Sequence, residues 1–152
     1  MIKRAALILI AFGFLWVAHG ASGHDGATGI IKVRMNEMEQ LGSQMNTLAK
    51  MAKGEIPVNA KQITASATEM VRIADNIPDL FPPNSLEKPS EATATIWSNW
   101  PNFKIEAASL SVLASQLGAD AGTLSTPKDL QNQLAAIGKT CKTCHKAYRI
   151  KK

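Results

Sequence analysis

The chain has 152 residues, is 45% hydrophobic and 19% charged, carries a formal charge of +5 and contains two cysteines. That length allows one compact domain, not two, once a leader is set aside. The basic balance does not point to nucleic acid. The positive residues are spread along the chain except for the tail Arg149-Ile150-Lys151-Lys152, which reads as a solvated helix end.

The chain opens with a basic pair, Lys3 and Arg4, followed by an apolar run over residues 5–18 and then small residues. Ala18-His19-Gly20 and Ala21-Ser22-Gly23 both fit the small-x-small cleavage pattern. The run is short for a bilayer span, so the expectation is a signal peptide over residues 1–20, with cleavage as late as 23, and a domain over 21–152. Residues 1–20 hold two of the basic and none of the acidic residues. Their removal leaves fifteen basic and twelve acidic residues, a formal +3.

Residues 29–53 keep helical spacing. Ile31, Met38, Leu41, Met45, Leu48 and Ala52 fall three or four apart, and Arg34 takes one place on the same stripe. Gly54 marks the stop. Asn59 can cap a second helix, with Gln62 three residues on, and its stripe is Ile63, Ala67, Met70, Ile73 or Ala74, and Ile77. Four prolines within residues 78–90 exclude a helix interior, and this stretch is expected to be a crossover loop pinned by Phe81 and Leu86. A third helix is expected to start between Glu91 and Thr95 and to run to Leu117. Its stripe is Ile96, Trp100, Phe103, Ala107, Leu110, Ala114 and Leu117. Pro101 conflicts with that run, so the helix either starts later, with Ser98 or Asn99 as cap, or bends near Trp97. The last helix has the clearest start, with Thr126 as cap, Pro127 in the first position and Asp129 favouring the dipole. Its stripe runs Leu130, Leu134, Ile137, Cys141, Cys144 and Tyr148. With no strand alternation, the expected fold is all-α, a four-helix bundle.

Both cysteines fall in Cys141-Lys142-Thr143-Cys144-His145. Cys-x-x-Cys-His is the attachment pattern of a c-type haem. Two thiols three residues apart share a helix face and can add to the two vinyl groups of the porphyrin, and the next residue brings an imidazole to the iron. Two randomly placed cysteines would make this pattern on the order of 1 time in 4,000. A zinc site would need three or four ligands, and outside the motif only His19 and His24 add imidazoles. A redox Cys-x-x-Cys would follow a strand in a βαβ pattern, which is missing here. One covalent haem c per chain, close to the C-terminus and on the core face of the last helix, is the expected cofactor. Export agrees with it.

The ending Cys141-Lys142-Thr143-Cys144-His145-Lys146-Ala147-Tyr148-Arg149, the Leu80-Phe81-Pro82 turn, Ile96-Trp97 with Phe103, and Arg34-x-x-x-Met38 occur in this order. Together they resemble the class II cytochromes c, the cytochrome c prime family, over essentially the whole mature chain. Pro101 departs from that pattern. The resemblance implies His145 as one axial ligand. For the other side of the iron, spacing alone leaves Met35, Met38, Met45, Met51 and His24 open. The low-spin branch of the family, which this chain resembles, implies Met38 as the sixth ligand. Arg34 and, with less support, Arg149 are candidate partners of the haem propionates. Trp97, Trp100 and Phe103 are expected in the core, with Trp97 also a candidate haem contact.

The function implied is a periplasmic one-electron carrier with no enzymatic chemistry, working with redox partner proteins and with neither nucleic acid nor a small-molecule substrate. The alternative is a five-coordinate form binding nitric oxide or carbon monoxide, which requires Met38 off the iron. A peroxidase finds no distal acid–base pair in so short a chain. Monomer and homodimer both fit.

Overall fold

A computed structural model describes residues 26–150. Its long helices are α1 (Gly29–Ala52) and α2 (Ala60–Asn76), then, after a four-residue α3 (Thr95–Ser98), α4 (Trp100–Asp120) and α5 (Pro127–Tyr148). The long helices pack in a ring, α1 on α2, α2 on α4, α4 on α5 and α5 back on α1. This is the expected four-helix bundle.

The helix ends follow local chemistry. Asn59 Oδ1 accepts from the Gln62 N–H at 3.0 Å and starts α2. Thr126 and Asp129 cap each other's backbone N–H groups at the start of α5, with Pro127 in the first turn, where its missing donor costs nothing. Gly54 stands at φ 74°, the left-handed turn that lets the chain leave α1. Gly118 lies inside α4, where a Cβ would stand 3.2 Å from the Ala67 Cβ. The glycine there serves close approach of α4 to α2, not a helix stop.

Pro101 resolves as a break and not a bend. An uninterrupted helix would press its ring on the carbonyl of Trp97. The chain instead leaves helical geometry at Asn99 (φ −128°, ψ 38°) and restarts at Trp100, with Pro101 in the new first turn. Asn99 does not cap the backbone with its side chain. Its Nδ2 donates to the Tyr148 hydroxyl at 3.2 Å, and its Oδ1 accepts from Asn102 Nδ2 at 2.7 Å.

The crossover contains a 3-10 turn at Pro78–Leu80. Leu80 and Phe81 are buried, whereas Leu86 is only half-buried. The tail differs from the expected helix end. α5 stops at Tyr148, Arg149 is extended, and an isolated antiparallel bridge joins it to Ala92. The Thr93 N–H donates to the Tyr148 carbonyl at 3.0 Å, and the Ile150 N–H donates to the Glu91 carbonyl at 2.8 Å. Backbone donors and acceptors that a frayed end would leave to water are paired here with the crossover.

The core is almost wholly aliphatic, with Leu48, Met51, Ile63, Met70, Ile73, Leu117, Leu130 and Ile137 fully buried. Aromatic rings gather at one end. Phe103 stacks on Trp100 at 5.4 Å and meets Phe81 and Tyr148 edge-on at 5.0 and 5.2 Å. No helix among the described residues is long and apolar enough to cross a membrane.

Candidate haem site

Two stripes that are buried along most of their length are interrupted partway along. On α1, Ile31, Arg34, Leu41, Leu48 and Ala52 are buried, while Met38 and Met45 on the same stripe are half-buried. On α5, Leu130, Leu134, Ile137 and Tyr148 are buried, while Cys141 and Cys144 between them are half-buried. These four sulfur side chains, together with Trp97 and Trp100, pack on the edge of one core. Two thiols at an apolar border are what a covalently held porphyrin requires.

Both thiols are held above the ordinary cysteine range. Burial pushes Cys141 up, and burial first, then Glu106 of α4 and Cys141, pushes Cys144 up to about 11. They also lie near the C-terminal end of α5, where the helix dipole disfavours a thiolate. A disulfide oxidoreductase needs the opposite, a depressed thiol. Among the described residues no group of three or more His, Cys, Asp and Glu could hold a metal ion.

His145 is exposed in the last turn of α5. Partial desolvation and then the Arg149 guanidinium hold its imidazole below the ordinary histidine range. That favours the neutral ring, the form that can ligate iron. Of the other methionines, Met51 is fully buried in the aliphatic core, and Met35 is half-buried off the stripe. His24 lies outside the described residues.

Arg34, the residue read as a propionate partner, is 3% exposed. Its Nη2 donates to the Ser85 carbonyl and to Ser90 Oγ, both at 2.9 Å. Its Nη1 reaches Ser85 Oγ at 3.4 Å and the Leu80 carbonyl at 3.5 Å. The guanidinium also lies 4.3 Å over the Phe81 ring. Burial lowers its pKa, Glu87 opposes that, and the groups it bonds are neutral. The Arg149 guanidinium pairs with the Glu91 carboxylate, its Nε donating at 2.7 Å. Trp97 Nε1 donates to the Phe81 carbonyl at 2.9 Å.

Sequence reasoning missed Ser85, Ser90 and Glu91 as the partners of these arginines, and Glu106 as the charge facing Cys144. Loop serines carry no periodic signal. The one clue was an arginine on an apolar stripe, which has to find acceptors wherever the fold supplies them.

Residues 29–149 match the family model described as Cytochrome C'. Cytochrome c-556 of Agrobacterium tumefaciens (strain II Chrys) is 38% identical over 129 residues, covering 82% of this chain and 99% of that one. Among solved structures, cytochrome c' from Rhodopseudomonas palustris matches with a TM-score of 0.73 at 27% identity, covering 83% of this chain and 99% of that one. A nitric oxide complex of a variant of cytochrome c prime from Alcaligenes xylosoxidans matches with a TM-score of 0.70 at 26% identity, covering 88% and 99%. The chain therefore belongs to the cytochrome c′ family of electron-transfer haem proteins, which bind haem c covalently, and Cys141-Lys142-Thr143-Cys144-His145 fits the attachment motif.

Proposed function

We propose that this protein is a low-spin one-electron carrier of the periplasm, exported by the leader over residues 1–20, with His145 and Met38 as axial ligands. The observation that carries the reading is the interruption of two buried stripes at Met38 and Met45 on α1 and at Cys141 and Cys144 on α5. Met38 lies one turn after buried Arg34, in the half of α1 that borders the aromatic end of the bundle.

Haem c, tethered through thioethers at Cys141 and Cys144, supplies an iron that takes up and releases one electron. The chain's own residues set how it does so. With haem bound, a neutral His145 would ligate the iron, and the soft thioether of Met38 would favour the reduced form and raise the potential relative to two imidazoles. The buried positive charge of Arg34 acts in the same direction as Met38, with Arg149 contributing less because Glu91 offsets its charge. Trp97 flanks the site at the core border. The partners are other redox proteins, and monomer and homodimer remain compatible.

A second reading is a five-coordinate nitric oxide or carbon monoxide binder. The Alcaligenes relative solved as a nitric oxide complex favours it. Optical spectra of the oxidised and reduced holoprotein, beside Met38→Ala, separate the two. A low-spin spectrum with a weak sulfur–iron charge-transfer band, lost in the variant, is expected. High-spin spectra in both proteins, shifting with carbon monoxide, would return Met38 to the core and leave gas binding as the function.

A further inference from the structure

The two arginines that flank the ligand positions bind the same piece of chain. Arg34 stands four residues before Met38 on α1 and grips the crossover at Leu80, Ser85 and Ser90. Arg149 stands four residues after His145 and grips the same crossover at Glu91. Backbone bonds from Thr93 to Tyr148 and from Ile150 to Glu91 double the second grip. Between the two grips the rings form a continuous layer, with Arg34 on Phe81, Phe81 on Phe103, and Phe103 on Tyr148.

This matters because α1 and α5 are closed differently along their length. At the far end they meet directly, with Gln131 Nε2 of α5 donating to the Ala52 carbonyl of α1 at 2.8 Å, amid fully buried Leu48, Met51 and Leu130. Toward the motif, Met38 and Met45 of α1 and Cys141 and Cys144 of α5 are only half-buried at the border of the core. There the crossover is bonded to both helices, to α1 through Arg34 and to the end of α5 through Tyr148 and Arg149.

We propose that residues 80–93 are a strap that sets the distance between the Met38-bearing and His145-bearing helices, and that Arg34, Ser90, Glu91 and Arg149 are positioning residues for the sixth ligand. The proposal rests on the His145–Met38 reading above. The methionine bond is an equilibrium between a bound and an open form, and an external ligand sees only the open fraction. A tight strap keeps that fraction small. A loosened strap raises it without touching either ligand.

The grips differ in strength. Arg34 is buried and spreads its donors over three residues of the crossover, so Arg34→Lys, which keeps the charge but not the fork, should have the larger effect. The Arg149–Glu91 pair is partly exposed, and exposed pairs contribute little each. Carbon monoxide affinity of the reduced holoprotein reads the open fraction. The expected gain is about tenfold for Arg34→Lys and about two- to fivefold for Glu91→Gln and for Ser90→Ala. Ile63→Val, which weakens the core away from the strap, serves as the control for general loosening.

The wild type and Met38→Ala are measured first, by the charge-transfer band. A wild type that is high-spin and indifferent to Met38→Ala overturns the ligand assignment, and the strap's role with it. A wild type with the band present, whose carbon monoxide affinity is unchanged in Glu91→Gln and Ser90→Ala or rises as much in Ile63→Val, overturns the strap alone. Affinity that rises in the strap variants and not in Ile63→Val establishes it. Glu91→Gln and Ser90→Ala keep the test open should Arg34→Lys fail to fold.

Discussion

The two ends of this bundle are built from the same helices and solve different problems. At one end, Leu48 and Met51 of α1, Ile63 of α2, Leu117 of α4 and Leu130 of α5 are fully buried on one another. At the other, Met38, Met45, Cys141, Cys144, Trp97 and Trp100 are half-buried, and the polar crossover and an aromatic layer take over the work of joining helices. The first end is closed by aliphatic packing, which is non-directional and tolerant of any partner of the right volume. The second is joined by directional bonds from two arginines and a short backbone ladder. The second end is well buried too, at Ile96, Phe103 and Tyr148, but adds polar bonds to its packing.

The largest expected effect falls on the chemical end. Replacing both thiols, Cys141→Ser with Cys144→Ser, removes covalent haem altogether, and the mass of the denatured protein falls by one haem. Retention of haem mass would show that attachment lies elsewhere. The aliphatic end is expected to behave in the opposite way. Leu130→Ala costs about 2–5 kcal/mol of stability, read from denaturant unfolding, and leaves the absorption maxima of the holoprotein in place. A shifted spectrum would mean that the two ends are coupled more tightly than their packing implies.

A sharper form of the comparison uses α1 alone. Met38→Ala should abolish the charge-transfer band at a smaller cost in stability than Met51→Ala, because Met38 is half-buried and Met51 is fully buried. Met45→Ala should keep the band. Away from both ends, Thr126→Ala removes the cap of α5 and is expected to cost about 1 kcal/mol, measured as a lower unfolding midpoint with an unaltered spectrum.

The last effect is in the pH response of the haem-free protein. Cys144 is raised from an ordinary 9.0 to about 11 by burial, then by Glu106 and Cys141. A thiol raised in the folded chain favours folding below the ordinary value, and that contribution is lost as pH climbs toward the raised one. The haem-free protein should lose stability over that interval, and Cys144→Ser should flatten the loss. The holoprotein, whose sulfurs are thioethers, should not show it.

Much of this was legible from local pattern. The helix over residues 29–53 ends within one residue of its expected stop, and the caps at Asn59 and Thr126 form as their residue types require. Such features depend on neighbours three or four residues away, which the chain supplies without folding further. Pro101 announced a conflict but not its outcome. A bend and a restart satisfy the same missing donor, and contacts of Asn99 with Tyr148, distant in sequence, accompany the restart. The tail was misread for a similar reason. Nothing in Arg149-Ile150 says that the backbone of Glu91 and Ala92 will stand beside it.

The sequence by itself determined the haem motif, the helical content, the aliphatic stripes and the presence of an arginine among apolar residues four places before Met38. Each is a matter of covalent spacing or of a period of 3.6 residues, and both are written along the chain. Only the tertiary structure decided what Arg34 and Arg149 hold. A guanidinium takes the acceptors that packing brings to it, and packing brought one crossover, from residues 46 to 58 positions away in the chain, to both of them.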